Sequence, residues 1–314
     1  MAEGRTSKIW RDGELVDWAD ATLHVMSHVV HYGSSVFEGV RCYETPQGGA
    51  VFRLREHMRR FLDSSRIYRF PQRYSVDELV QATVDTVAAN GLKECYIRPV
   101  VVRTGEQMAF YPVGVPSECF IICWNWSAYL GADALSSGVD VCVSSWRRAA
   151  PDTFPMMAKA GGNYLNAQLA VMEARLDDYS QGIMLDSFGF VAEGSGENLF
   201  LVRDGVLYTA LVSNGILHGI TRDAVMTIAR DLGYEVREAQ LPREMLYLAE
   251  EAFLCGTAAE VTPIRSIDRL PVGEGKPGPV TCRIQQEFMG IAKGRIADRF
   301  GWLTPVPAAA MVQA

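Results

Sequence analysis

This chain of 314 residues is poor in long apolar runs, clustered positive charge, closely spaced cysteines and histidine. No stretch approaches the roughly twenty apolar residues that span a bilayer. The longest run of that kind, "FIICW", is only strand length. The opening "MAEGRTSKIW" is polar and lacks the apolar core of a signal peptide, so a cytoplasmic location is expected. No basic run appears, and the net charge is −7. A phosphate backbone needs a basic stripe, which argues against a nucleic-acid partner. The seven cysteines are odd in number, widely spaced and form no C-x-x-C. That pattern reads as reduced, mostly buried thiols in a cytosolic protein. Of the five histidines, His24, His28 and His31 fall at i, i+4 and i+7. Valines separate them and no acidic residue lies near before Glu38, so no metal is expected.

What is present is ordinary globular composition, 48% hydrophobic and 21% charged, at a length that suits two domains. The first, 1–126, is expected to be the smaller. A small-residue stretch, "SAYLGADALSSG" at 127–138, marks an interdomain loop, and 139–314 forms the larger domain. "IWRDGELVDW" reads as a hairpin turning at Asp12-Gly13. Helices are predicted at about 56–69 and 76–90, the latter stopped by Gly91. Strands "ECYIRPVVV" and "ECFIICWNW" follow. The second half offers hairpins in "GIMLDSFGFVAE" and "ENLFLVRDGVLYTA", the latter turning at Asp204-Gly205. A helix at about 221–232 has Thr221 as its expected N-cap. The last helix is placed near 281–294, with a loose Pro/Ala-rich tail after Trp302. Helices alternate with strands that come in hairpins, which predicts a mixed α+β fold over a doubly wound parallel sheet. "GSGENLF" starts like a dinucleotide loop, but it lacks the third glycine and sits between strands, so it is set aside.

Five stretches carry candidate chemistry. In "MMAKAGGNYLN", Lys159 stands among small residues that let a flat ligand approach its amine. An unprotonated lysine attacks a carbonyl carbon and forms a Schiff base. Glu193 in "FVAEGSGEN" reads alone as an exposed turn acid. Beside such a lysine, a carboxylate keeps a pyridine nitrogen protonated. Glu197 and Asn198 read as ties for the turn backbone. "HGITRDAV" opens a helix with Gly219 and Thr221, a natural anion site, although an ordinary capped helix looks the same. "CGTAAE" is either a nest of amide N–H groups or a plain tight turn. In "YIRP", Tyr96 and Arg98 share one strand face and suit a carboxylate. Pro99 alternatively marks an edge strand.

Together these stretches resemble the branched-chain amino-acid aminotransferases of the fold-type IV pyridoxal-phosphate family. The likeness runs from about residue 8 to about 303. It rests on "HVMSHVVHYGSSVFEGVRCY", "REHMRRFLDSSRIY", "YIRP", "AKAGGNYLNAQLA", "EGSGENLF", "HGITRDAV" and "GTAAEVTPIRSI". The resemblance implies that Lys159 holds pyridoxal 5'-phosphate as a Schiff base and shuttles the proton. It implies Glu193 on the pyridine nitrogen and Tyr164 by the phenolic oxygen. Arg60, at the family's spacing from His57, would bind the phosphate with Ile220, Thr221 and Thr257, while Leu217 packs on the ring. Tyr96 and the amides of Thr257 and Ala258 would take the substrate α-carboxylate. Phe37, Trp126, Tyr129 and Tyr164 would line the side-chain pocket, with Tyr32 reaching in from a partner subunit near Arg98.

The implied activity is ping-pong transamination between branched-chain L-amino acids and 2-oxoglutarate, in a homodimer at least, with hexamers known in the family. The sequence departs from the family in the 103–115 loop, "RTGEQMAFYPVGV". There Ala109 and Phe110 replace an expected glycine and small aliphatic, and so are expected to reshape substrate preference. The "YIRP" strand favours this branch over D-amino-acid or (R)-amine aminotransferases and aminodeoxychorismate lyases, which would share Lys159 and Glu193. A non-enzymatic binder of phosphate ligands would need Arg60, Thr221 and Thr257 but no Lys159.

Overall fold

The computed structural model describes residues 6–126, 129–131 and 133–307. The chain divides into two compact units, the first made of Met1–Trp126, Ala158–Gly162 and Gly290–Ala314, the second of Ser127–Met157 and Asn163–Met289.

In the first unit, β1 (Lys8–Arg11) and β2 (Glu14–Asp17) form the predicted hairpin, with positive φ at Asp12 and Gly13. A short helix, α1 (His28–Tyr32), precedes β3 (Ser35–Phe37), β4 (Val40–Thr45) and β5 (Gly48–Phe52). Helices α2 (Leu54–Ile67) and α3 (Val76–Ala89) follow, then β6 (Cys95–Arg103) and β7 (Ser117–Trp124). Ser75 and Glu78 cap α3 reciprocally, satisfying two of its orphan N–H groups. The apolar faces of α2 and α3 supply Met58, Phe61, Leu79, Val84 and Val87, which bury against Val40, Val51, Ile97 and Ile121 of the sheet. Each such side chain contributes about 1.5–3 kcal/mol by leaving water.

β6 is interior rather than an edge, since it pairs with β7 on one side and with β3 and β4 on the other. Pro99 is tolerated because β3 ends its ladder at Phe37–Val100 and β4 begins at Val40–Ile97. The missing N–H faces that break, where the Pro99 carbonyl accepts from Glu38 N–H at 2.8 Å.

The second unit holds α4 (Ala134–Ser137), so 127–138 is not a bare loop, and β8 (Val139–Val143). Next come α5 (Tyr164–Leu176), β9 (Gln181–Leu185), β10 (Val191–Gly194), β11 (Asn198–Arg203) and β12 (Val206–Ala210). Then follow α6 (Ile220–Asp231), β13 (Glu235–Ala239), β14 (Glu251–Gly256), β15 (Glu260–Ile267), β16 (Leu270–Pro271) and α7 (Pro279–Ala292). The sheet runs β10-β9-β8-β15-β14-β11-β12-β13, with β16 beside β15. The hairpins sit beside three parallel pairs, β8·β9, β8·β15 and β12·β13, and this mixture is the α+β class expected. Ile183, Leu185, Val191, Leu199, Leu201, Leu254, Ile264 and Ile267 make its core.

The chain's return differs from the sequence expectation. After α7, β17 (Leu303–Pro305) pairs with β5, so the tail beyond Trp302 is a sheet strand through Pro305. Residues 158–162 and 290–314 therefore belong with the first unit instead of a continuous 139–314 domain. All seven cysteines are free and only Cys282 is exposed. Burial pushes the Cys119 thiol up to about 12. No helix among the described residues is long and apolar enough to cross a membrane.

Candidate active site

Lys159 is half-buried and its backbone is held on both sides. Its N–H donates to Ser64 Oγ at 3.0 Å, and its carbonyl accepts from Phe37 N–H at 2.9 Å. Val36 and Ala160 add an antiparallel bridge. A Cβ on Gly161 would fall 2.3 Å from Ser35 Oγ. Gly161 therefore makes room for β3, where the sequence reading assigned that space to a ligand.

Two groups of side chains gather in the same unit. His57, Arg60 and Ser64 follow one face of α2 at i, i+3 and i+7. Glu38, fully buried, accepts Arg60 Nε at 2.6 Å, Arg60 Nη2 at 2.8 Å and His57 Nδ1 at 2.7 Å. Arg59 points to solvent, so Arg60 is the arginine this carboxylate selects. Burial raises the Glu38 carboxyl, but Arg60 and His57 outweigh it and hold it far below the usual carboxylate range. Burial lowers His57, and Glu38 only partly opposes this.

The second group surrounds Phe37. The Lys159 amine lies 5.1 Å from the Phe37 ring centre and the Arg98 guanidinium 4.5 Å. Arg98 Nη2 donates to the Tyr96 hydroxyl at 3.2 Å, so the two residues do share a face. Arg98 Nε is buried with no hydrogen-bond partner among the described residues. Trp126 meets Tyr96 edge-on at 4.2 Å. Tyr32 is 40% exposed, and its ring packs on His28 at 4.6 Å and Phe110 at 5.5 Å. His28 uses both ring nitrogens on Ser34 Oγ and the Ala109 carbonyl, and His24 precedes α1.

The second unit has its own polar centre at Glu193, which is buried, not an exposed turn acid. Arg148 Nη2 meets its Oε1 at 2.7 Å, Asn198 Nδ2 donates to Oε2 at 2.9 Å, and Leu217 N–H donates to Oε2 at 3.1 Å. Asn198 also donates to the Leu217 carbonyl at 3.0 Å. A Cβ on Gly219 would lie 1.9 Å from Asn198 Oδ1, so that glycine accommodates Asn198. Gly219, not Thr221, is the N-cap of α6, and Ile220 and Thr221 are its first helical residues, both buried. Thr257 and Ala258 lie in the turn joining β14 to β15. Tyr164 opens α5, and the exposed Tyr129 accepts from Gln181 Nε2 at 3.5 Å.

The amino-transferase class IV family signature matches residues 35–267, most of the chain. This protein belongs to that family. A branched-chain-amino-acid aminotransferase of Salmonella typhimurium is 53% identical over 98% of this chain and 99% of its own. The crystal structure of the Escherichia coli branched-chain amino acid aminotransferase superposes with a TM-score of 0.94 at 52% identity, covering 96% of this chain and 100% of that one. The branched-chain amino acid aminotransferase of Thermobaculum terrenum, in its PLP form, gives 0.90 at 38% identity, covering 97% and 100%. As a class IV amino-transferase, the chain has the fold-type IV architecture expected.

Sequence reasoning passed over Glu38, Ser64 and Arg148, and it left Asn198 as a turn tie. A visible signal existed for Glu38, a lone acid between valines in "SVFEGV". Nothing local distinguishes Arg148 from Arg147, because the selecting partner, Glu193, is 45 residues further along.

Proposed function

We infer that this protein catalyses pyridoxal-phosphate-dependent transamination between branched-chain L-amino acids and 2-oxoglutarate, releasing branched-chain 2-oxo acids and L-glutamate. The carrying observation is the clamped Lys159 beside Phe37 and Arg98, in a chain whose full-length relatives are named branched-chain amino acid aminotransferases.

The residues present fit the cofactor. Lys159 Nζ is the covalent anchor, and Arg60 with the first residues of α6, Ile220 and Thr221, and Thr257 supply donors and positive potential for a phosphate. Glu193 is a buried anion already fixed by Arg148, Asn198 and Leu217, suited to hold a proton on a ring nitrogen. Leu217 and Tyr164 complete the ring's surroundings. When bound, the cofactor supplies a carbonyl carbon for the amino group and a ring that withdraws electrons.

Lys159 Nζ, once displaced by the incoming amine, moves the substrate's α-proton. Tyr96 and the amides of Thr257 and Ala258 orient the α-carboxylate. Phe37, Trp126, Tyr129 and Tyr164 exclude water around the side chain. An apolar pocket separates one methylene by only about 1–3 kcal/mol, so leucine, isoleucine and valine are all substrates. Glutamate brings a second carboxylate, whose burial needs a partner; Arg98 with Tyr32 provides it. The protein works in the cytoplasm as a homodimer at least, up to a hexamer. Tyr32 and the 103–115 loop serve the partner's pocket, a reading supported by Phe110 at 91% exposure and Tyr111 at 73%.

The test is a spectrum of the purified protein before and after L-leucine, with borohydride trapping followed by peptide mapping. The cofactor should be found fixed to Lys159, and Lys159→Ala should lower turnover by orders of magnitude. Near-normal turnover in that variant would end the assignment.

A further inference from the structure

Glu38 and His57 have no part in the chemistry above, yet they form a deeply buried ionic cluster in the first unit, 0% and 2% exposed. Fold stability alone does not explain such a cluster. Exchanging a buried ion pair for apolar side chains is often neutral or stabilising. Its geometry does point to a use. Two parallel bonds from Arg60 Nε and Nη2 to the two Glu38 oxygens fix the plane of the guanidinium, which a single contact leaves free to swivel. His57 Nδ1, at 2.7 Å from Oε2, stops the carboxylate from rotating about its own axis.

The same frame holds the lysine. Phe37, the residue before Glu38, donates its N–H to the Lys159 carbonyl, and Ser64, one turn beyond Arg60, accepts the Lys159 N–H. Glu38 therefore sits where the backbone that fixes Lys159 and the side chain that fixes Arg60 meet. We propose that Glu38, oriented by His57, is a positioning residue that aims the Arg60 guanidinium at the cofactor phosphate in register with Lys159. This rests on the roles given above to Lys159 and Arg60.

A contrary expectation follows from charge alone. A carboxylate that merely neutralises Arg60 weakens phosphate binding, so its removal would tighten the cofactor. Positioning predicts the opposite. Apo-protein of the wild type and of Glu38→Gln, His57→Asn and His57→Leu is titrated with pyridoxal 5'-phosphate and with pyridoxal, which lacks the phosphate. Glu38→Gln should bind the phosphorylated form at least tenfold more weakly and bind pyridoxal within about twofold of the wild type. His57→Asn, whose amide N–H overlays Nδ1, should stay near the wild type, whereas His57→Leu should weaken like Glu38→Gln. Unchanged or tighter binding of pyridoxal 5'-phosphate by Glu38→Gln overturns the proposal. So does a parallel loss for both ligands, the mark of a merely structural role. Should Glu38→Gln not fold, the His57 pair decides, and equal affinities for Asn and Leu overturn it. A wild type that takes up neither ligand takes down the reading of Lys159 itself.

Discussion

Gly39 tests the geometry of the site without any ligand. Its φ is not positive, so alanine meets no backbone strain there. The added Cβ would, however, stand 2.0 Å from the Tyr96 hydroxyl and 3.0 Å from its Cζ. Tyr96 is 5% exposed and wedged against Trp124 at 5.1 Å and Trp126 at 4.2 Å, so its ring cannot swing aside. The hydroxyl must retreat by about 1 Å or more, an overpacking that costs about 1–3 kcal/mol. At about 2–4 °C per kcal/mol, the unfolding midpoint should fall by several degrees. The displaced hydroxyl also leaves Arg98 Nη2, now 3.2 Å away, and with it the place proposed above for the substrate α-carboxylate. A lost hydrogen bond to a charged group is worth about 1.5–3 kcal/mol, so KM should rise roughly 10- to 100-fold for L-leucine and 2-oxoglutarate alike. Adding Tyr96→Phe removes the 2.0 Å contact but not the 3.0 Å one. The double variant should regain part of the lost midpoint and none of the lost affinity. Wild-type midpoint and KM in Gly39→Ala, or a double variant no more stable than the single one, would refute this.

Arg98→Ala should raise KM for 2-oxoglutarate about tenfold more than for the branched-chain acids. Arg98→Lys should not restore it, because an ammonium cannot both stack on Phe37 and fork to a carboxylate; equal losses for both substrate classes count against the role. Acid should destabilise the protein in two windows. His57 is lowered below 6.5, chiefly by burial, and Glu38 below 4.5, where burial opposes the fall but Arg60 and His57 prevail. A group with a depressed folded pKa takes its proton more readily when unfolded, so its stabilisation is present above the unfolded value and is lost as pH falls. The urea midpoint should decline below about pH 6.5 and again below about 4.5. In a His57→Asn background, where no imidazole titrates at that place, the stability difference made by Glu38→Gln should be flat above about 4.5 and shrink below it; a difference that grows on acidification there contradicts the ion-pair account.

Local chemistry made much of the fold legible. Asp12-Gly13 and Asp204-Gly205, all at positive φ, are the turns their sequences announce, and Gly91, at φ 63°, stops α3. What sequence could not show depends on partners far along the chain. "YIRP" resembles an edge strand until β3 and β4 leave a break opposite Pro99. The tail after Trp302 looks loose until β5, some 250 residues earlier, supplies its ladder. Gly161 and Gly219 advertise room for a ligand, yet their space is taken by Ser35 and Asn198. Tyr96, Arg98, Phe37 and Trp126 do converge, because alternation along a strand is a local rule. The acid that selects Arg60 over Arg59 is legible only in three dimensions.

The pairing of β17 with β5 reaches into biosynthesis. At about 5–20 residues per second, the ribosome needs roughly 10 to 40 s to pass from Trp126 to Pro305. Throughout that interval the outer backbone edge of β5 stays bare, while the whole second unit emerges as an insert. An unpaired edge invites neighbouring chains. Crowded polysomes and slow codons downstream of residue 126 should therefore favour aggregation of this nascent polypeptide more than heat does once synthesis is finished.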